Sequence, residues 1–160
     1  SDEAHLQLTV RSYTDEVRQT LLAGIERIAR AQAISAGLPE DLYPRVEFEE
    51  TYTPATYNDP ALSNRLASSF RNRFGAENVI KADPVMGGED FSWFGRMDPK
   101  IPTMIFWIGA VPAEKIAAAE AGGPALPSLH SPFFAPDPEP TITTGVEALT
   151  TAAIDLFETQ

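Results

Sequence analysis

The chain has 160 residues, 43% of them hydrophobic, 9% aromatic and 22% charged, with 12 basic against 23 acidic side chains and a net charge of −11. That is a globular composition with enough apolar material for a sizeable core, and its acidity excludes both a basic stripe for nucleic acid and attraction to an anionic membrane surface. It has no cysteine, which removes disulfides, thiolate zinc sites and cysteine nucleophiles, and only two histidines, His5 and His130, for metal or acid–base chemistry.

Residues 5–13 alternate, with Leu6, Leu8 and Val10 on one face and Thr9 and Arg11 on the other, the period of a half-buried strand. His5 lies on its polar side and is expected to face solvent. A lone strand arginine such as Arg11 is expected at the surface or in an ion pair. Thr14 is placed to cap a helix whose first turn holds Asp15 and Glu16, where the macrodipole favours carboxylates. Val17, Leu21, Ile25 and Ile28 recur at helical spacing until Gly37 and Pro39 stop the helix. Val46, Phe48 and Glu50 then alternate with Glu47 and Glu49 as a second strand. Residues 1–54 thus read strand–helix–strand, with the helix expected on the two strands. That is too little to fill a two-layer domain.

Residues 53–60, rich in Pro, Asn and Asp, form a crossing segment. Asp59 caps a helix with Pro60 at its first position, Leu62, Leu66, Phe70 and Phe74 make an i, i+4 stripe, and Gly75 ends it. Val79-Ile80 starts a short strand. Residues 103–108, Thr-Met-Ile-Phe-Trp-Ile, are the continuous apolar run of a strand buried on both faces. A proline-rich excursion over 111–140 carries a helical Ala/Glu/Lys stretch at 113–121, and 141–157 makes a C-terminal helix. Phe70/Phe74 and Trp93/Phe94 are expected in the core. Helices around a buried strand place the chain in the α/β class. It has no internal repeat and no apolar run near the ~18 residues of a membrane span.

Two strings can carry chemistry. In Met86-Gly87-Gly88-Glu89-Asp90-Phe91 two glycines let backbone approach a ligand closely, with paired carboxylates at or near a helix start. The same string also serves as a plain glycine turn with capping carboxylates. In Leu126-Pro127-Ser128-Leu129-His130-Ser131-Pro132 a proline-braced loop presents one imidazole, either as a metal ligand or as a solvated side chain. No serine is marked as activated, and neither a phosphate loop nor a dinucleotide fingerprint occurs.

Taken in order, five segments resemble the C-terminal part of the M20 metallopeptidase family, nearest the amidohydrolases that include hippurate hydrolase and the N-acyl-amino-acid and indole-acetyl-amino-acid hydrolases. They are Leu8-Thr9-Val10-Arg11-Ser12-Tyr13, the crossing from Tyr52 to Pro60, Met86 to Phe91, Leu129-His130-Ser131-Pro132, and Pro136 to Ile142 with Thr144-Gly145-Val146. Each string alone is weak; five in order are specific, and the resemblance covers essentially the whole chain.

The resemblance implies a catalytic α/β domain, of which 55–160 would be the C-terminal segment. It also implies an α+β, ferredoxin-like lid and dimerisation domain, of which 1–54 would be the last strand–helix–strand. It implies two divalent metal ions, zinc or manganese with cobalt as a further choice, and hydrolysis of amide bonds in N-acyl amino acids or small peptides. His130 would be a metal ligand. Glu89 would lie at or just behind the metals, Gly87 and Gly88 would let substrate approach, and Arg11 would reach a substrate carboxylate.

In the family the remaining ligands and the catalytic glutamate come from an N-terminal half with no counterpart here. The expectation is therefore the C-terminal part of a longer, split or clipped enzyme, holding no catalytic base and no complete metal centre, and inactive alone. A homo-oligomer through the lid is expected, with no nucleic-acid or membrane partner. The compartment, cytoplasmic or secreted/periplasmic, stays open. The competing readings are a non-catalytic, lid-derived association module and an unrelated α/β binding domain whose Gly-Gly-Glu-Asp is a turn.

Overall fold

Thr14 starts the first helix as its side chain predicts. In the computed structural model, which describes residues 3–158, its Oγ1 accepts from the Val17 N–H at 3.2 Å and opens α1, Asp15–Ser35. The helix closes on Gly37, whose φ of +68° suits glycine. There the Leu38 N–H reaches back to the Ala33 carbonyl at 3.1 Å and the Gly37 N–H to Ile34 at 3.0 Å. Asp59 likewise caps α2, Pro60–Phe74, by accepting from the Leu62 N–H at 2.9 Å. Two more helices follow, α3 at Ala113–Glu120 and α4 at Pro138–Phe157, which starts three residues earlier than its apolar pattern indicates. Short 3-10 turns lie at Glu40–Leu42, Ala76–Asn78 and Asp90–Arg96.

The described residues divide into two compact units. One takes in the chain up to Asn58 together with Ala82–Thr103; the other takes in Asp59–Lys81 and the chain from Met104 on. In the second unit α2 packs on α4 because small side chains on one meet large ones on the other. Leu66 and Phe70 settle over Ala148 and Ala152, all four buried. Met104, Phe106 and Ile108 close the same cluster, with the Phe70 and Phe106 rings 5.1 Å apart and tilted by 55°. Phe70 is thus core as the stripe predicts, with Phe74 half-buried beside it. Arg65 and Asp155 (3.1 Å) and Arg73 and Glu147 (2.8 Å) pair across the two helices.

The expected strands are not formed. Residues 5–13, 45–51, 79–80 and 103–108 run without regular secondary structure, and no backbone ladder occurs among the described residues. Alternation describes which side chains want burial; a strand also needs a neighbour for its N–H and C=O groups. In 104–108 the alternation survives as packing, since Met104, Phe106 and Ile108 face the cluster while Ile105 and Trp107 do not. In the first unit Leu6 and Leu8 stay exposed, and Val17, Leu21 and Ile28 on α1 do too, so the helix does not sit on two strands. Trp93 and Phe94 are also exposed rather than core.

Apolar surface is left over throughout. The chain exposes 13,018 Å², whereas two well-packed globules of about 80 residues each would together expose roughly 9,500 Å² by the scaling of surface with mass. No helix among the described residues is long and apolar enough to cross a membrane.

Candidate functional site

The Gly-Gly-Glu-Asp string is held by its own local structure and by two distant segments. Glu89, extended at φ −136° and ψ 123°, leads into the 3-10 helix Asp90–Arg96, so the paired carboxylates stand at a helix start as the sequence indicates. Side chains three apart eclipse one another on a 3-10 helix, which puts Asp90, Trp93 and Arg96 on one face. Each has a partner from the N-terminal segment. The Thr53 hydroxyl lies 3.5 Å from Asp90 Oδ1, the Tyr52 ring packs on Trp93 at 6.2 Å, and Arg96 makes a two-point pair with Asp15 at 2.6 and 3.0 Å. Arg18, one turn along α1 from Asp15, stacks its guanidinium 3.7 Å over Tyr52. On the other side Ser92 is buried and Gly95 abuts Thr103, while Phe91 and Phe94 pair with each other at 5.6 Å.

The Asp15–Arg96 pair carries the site's resolved electrostatics. The hydrogen bond from Arg96 is the main reason the Asp15 carboxyl sits below its ordinary value of 3.8, and Asp15 in turn raises Arg96. Asp15 also occupies the first turn of α1, where the helix dipole favours a negative charge.

Arg11 and Tyr13 grip the stretch before the glycines. Two apart on an extended chain, they point the same way, and the carbonyls they reach are also two apart. Arg11 Nη1 donates to the Met86 carbonyl at 2.9 Å and the Tyr13 hydroxyl donates to Pro84 at 3.3 Å, so the two stretches run antiparallel through side chains rather than through a backbone ladder. A Cβ added at Gly88 would meet Arg11 Nη1 at 3.6 Å and Thr53 Cγ2 at 3.7 Å, ordinary contact distances. Gly87, Gly88 and Glu89 are exposed.

His130 is carried by the second unit. It occupies the third position of a tight turn closed by the Ser131 N–H on the Ser128 carbonyl at 2.9 Å, continued by Phe134 on Ser131 at 3.0 Å. The imidazole is exposed, as is His5. Among the described residues no three His, Asp or Glu side chains gather closely enough to hold a metal ion. The donors present therefore do not by themselves complete a two-metal centre.

The structure thus joins Arg11 to the glycine string, which the sequence presents as separate, 75 positions apart. It also adds Tyr13, Asp15, Tyr52, Thr53 and Arg96, none of which the sequence marks as a site residue. The one available signal was the three-residue spacing of Asp90, Trp93 and Arg96, legible only once a 3-10 helix is known to be there.

Residues 4–153 match the family described as peptidase family M20/M25/M40. YhaA of Bacillus subtilis, an amidohydrolase by name, is 32% identical over 71% of this chain and 27% of its own length. The N-acetyldiaminopimelate deacetylase of Lactococcus lactis subsp. cremoris is 35% identical over 68% of this chain and 27% of its own. IAA-amino acid hydrolase ILR1-like 4 of Arabidopsis thaliana is 29% identical over 79% and 26% respectively. The chain spans about a quarter of the length of these relatives. A match running through all five segments, from the Arg11 stretch to α4, identifies the chain as a member of peptidase family M20/M25/M40.

Proposed function

We propose that the chain forms the C-terminal part of a metal-dependent amidohydrolase that cleaves N-acyl amino acids or small peptides. In this reading residues 1–54 belong to an α+β lid domain whose strands form only beside further strands, and 55–160 belong to the catalytic α/β domain. His130 contributes one imidazole to a metal centre of zinc or manganese, or cobalt, whose other ligands and catalytic base lie outside this chain. Glu89 stands at or just behind the metals, Gly87 and Gly88 leave room for substrate, and Arg11 borders that room. The lid also joins a second copy.

One observation supports this most: Arg11 donates to the carbonyl of Met86 and lines Gly88, so a strand-like segment and the glycine string build one wall. The names of the relatives supply the reaction class, amide hydrolysis.

The test combines this chain with the N-terminal three-quarters of a relative, such as the Lactococcus lactis deacetylase, in the presence of zinc, manganese or cobalt. N-acyl amino acids are assayed. The chain alone is expected to give no turnover and the combination to give some. His130→Ala should remove it by about 10²-fold or more, as losing a metal ligand costs several kcal/mol of transition-state stabilisation. Glu89→Gln should cost less, roughly 10- to 100-fold in metal affinity, and His5→Ala should be neutral. A combination in which His130→Ala keeps metal and near-normal turnover refutes the assignment.

The exposed apolar stripe Val17, Leu21 and Ile28 on α1 favours a second reading, an association module without catalysis. Concentration-dependent dimerisation together with a combination that never hydrolyses amides would select it.

A further inference from the structure

We propose that Arg96 is a positioning residue for the Glu89–Asp90 turn, acting through its two-point pair with Asp15. The inference rests on the reading above only for what the turn does; how the turn is held stands on its own contacts.

A 3-10 helix of seven residues has poor hydrogen-bond geometry and little intrinsic stability, so its rotation must be set from outside. Three side chains on one face do this, Asp90, Trp93 and Arg96, each against the N-terminal segment. They differ in quality. The Thr53–Asp90 contact is long at 3.5 Å, and the Tyr52–Trp93 rings, tilted by 59°, can slide. Only the Arg96–Asp15 pair fixes direction, because a planar guanidinium meeting both carboxylate oxygens at 2.6 and 3.0 Å permits one orientation.

Its other end is rigid as well. Asp15 sits in the first turn of a 21-residue helix capped by Thr14, and Arg18 on the same helix face stacks over Tyr52. The far side is closed by Gly95 against Thr103. Rotating the turn by one residue, about 120° on a 3-10 helix, would carry Asp90 away from Thr53 and redirect Glu89 before it. Exposed ion pairs add little stability, so the pair's consequence is directional.

The experiment measures amide hydrogen exchange over residues 86–96 in the full chain, comparing the parent with Arg96→Ala, Arg96→Lys, Asp15→Asn and Asp15→Glu. Arg96→Ala and Asp15→Asn should speed exchange there roughly two- to fivefold, as expected for loss of a local restraint, and leave α2 and α4 unchanged. Arg96→Lys keeps the charge but not the planar fork, so it should behave like Arg96→Ala. Asp15→Glu keeps both oxygens and should restore most of the protection. Should Arg96→Ala unfold the first unit, the milder Arg96→Lys still decides. Parent-like exchange in Arg96→Lys, or acceleration spread evenly over the first unit, would overturn the proposal. In the active combination described above, Arg96→Lys should lower kcat more than it changes KM. A parent combination without turnover would defeat the proposed activity, yet exchange in the chain alone would still decide this inference.

Discussion

Gly95→Ala isolates how tightly the 3-10 helix is seated. Gly95 does not have a left-handed φ, so alanine is conformationally allowed, and by itself the change should stabilise by about 0.4–1 kcal/mol through the unfolded chain. Space decides the sign instead. The new Cβ would lie 2.8 Å from Thr103 Oγ1, 3.6 Å from its Cγ2 and 3.8 Å from its Cβ. Thr103 is buried, and its hydroxyl is engaged, donating to the Tyr57 carbonyl at 3.1 Å.

Thr103 can move only by giving up that bond, about 1 kcal/mol, or by shifting backbone, an overpacking cost of roughly 1–3 kcal/mol. The net expectation is a loss of up to about 2.5 kcal/mol after the entropic gain is set against these costs. For a unit of this size that is on the order of 4–8 °C in Tm per kcal/mol. Unfolding is followed by Trp93 fluorescence in a Trp107→Phe background, because Trp107 belongs to the other unit. Thr103→Ala removes the obstructing atoms, so the double variant should be less damaged than the sum of the singles, by about 1–2 kcal/mol. A Gly95→Ala protein at least as stable as its parent, or a cycle additive within about 0.5 kcal/mol, would refute the reasoning.

Three further outcomes are expected. Phe70→Ala, which empties the contact with Phe106 and the seat over Ala148 and Ala152, should cost about 3–5 kcal/mol, read by unfolding through Trp107; a loss under about 1 kcal/mol would mean that α2 and α4 are not held by this cluster. The Asp15 carboxyl is held below 3.8 by Arg96, so its contribution is fully present above that value and lost as pH falls through the lower folded one; because the pair is substantially exposed it is under ~1 kcal/mol. The stability difference between parent and Asp15→Asn should therefore shrink as the pH is taken down from about 6 to below 3, and a constant difference would contradict the pairing. Gly88→Ala should leave stability within ~0.5 kcal/mol, since its Cβ finds ordinary contacts, but should lower turnover in the active combination if substrate lies against that backbone.

What the sequence alone determined is what short-range chemistry controls. Thr14 and Asp59 cap the helices they were expected to cap, Gly37 and Gly75 stop them, and the Leu66/Phe70 stripe faces inward, because capping bonds and helical periodicity involve residues within a turn or two of each other. Five ordered strings also sufficed for the family, since a family match depends on residue types in order and not on contacts. Strands are different. Residues 5–13 and 103–108 have the right alternation, yet whether they pair depends on neighbours far away in the chain, and none is formed here. Trp93 and Phe94 look like core side chains by type, and only their place on an outer turn leaves them exposed. Tertiary structure alone brought Arg11 to the Met86 carbonyl and Asp15 to Arg96, across 75 and 81 positions. Contacts at that separation leave no periodic trace in a single sequence, because nothing about either residue fixes how the intervening chain returns.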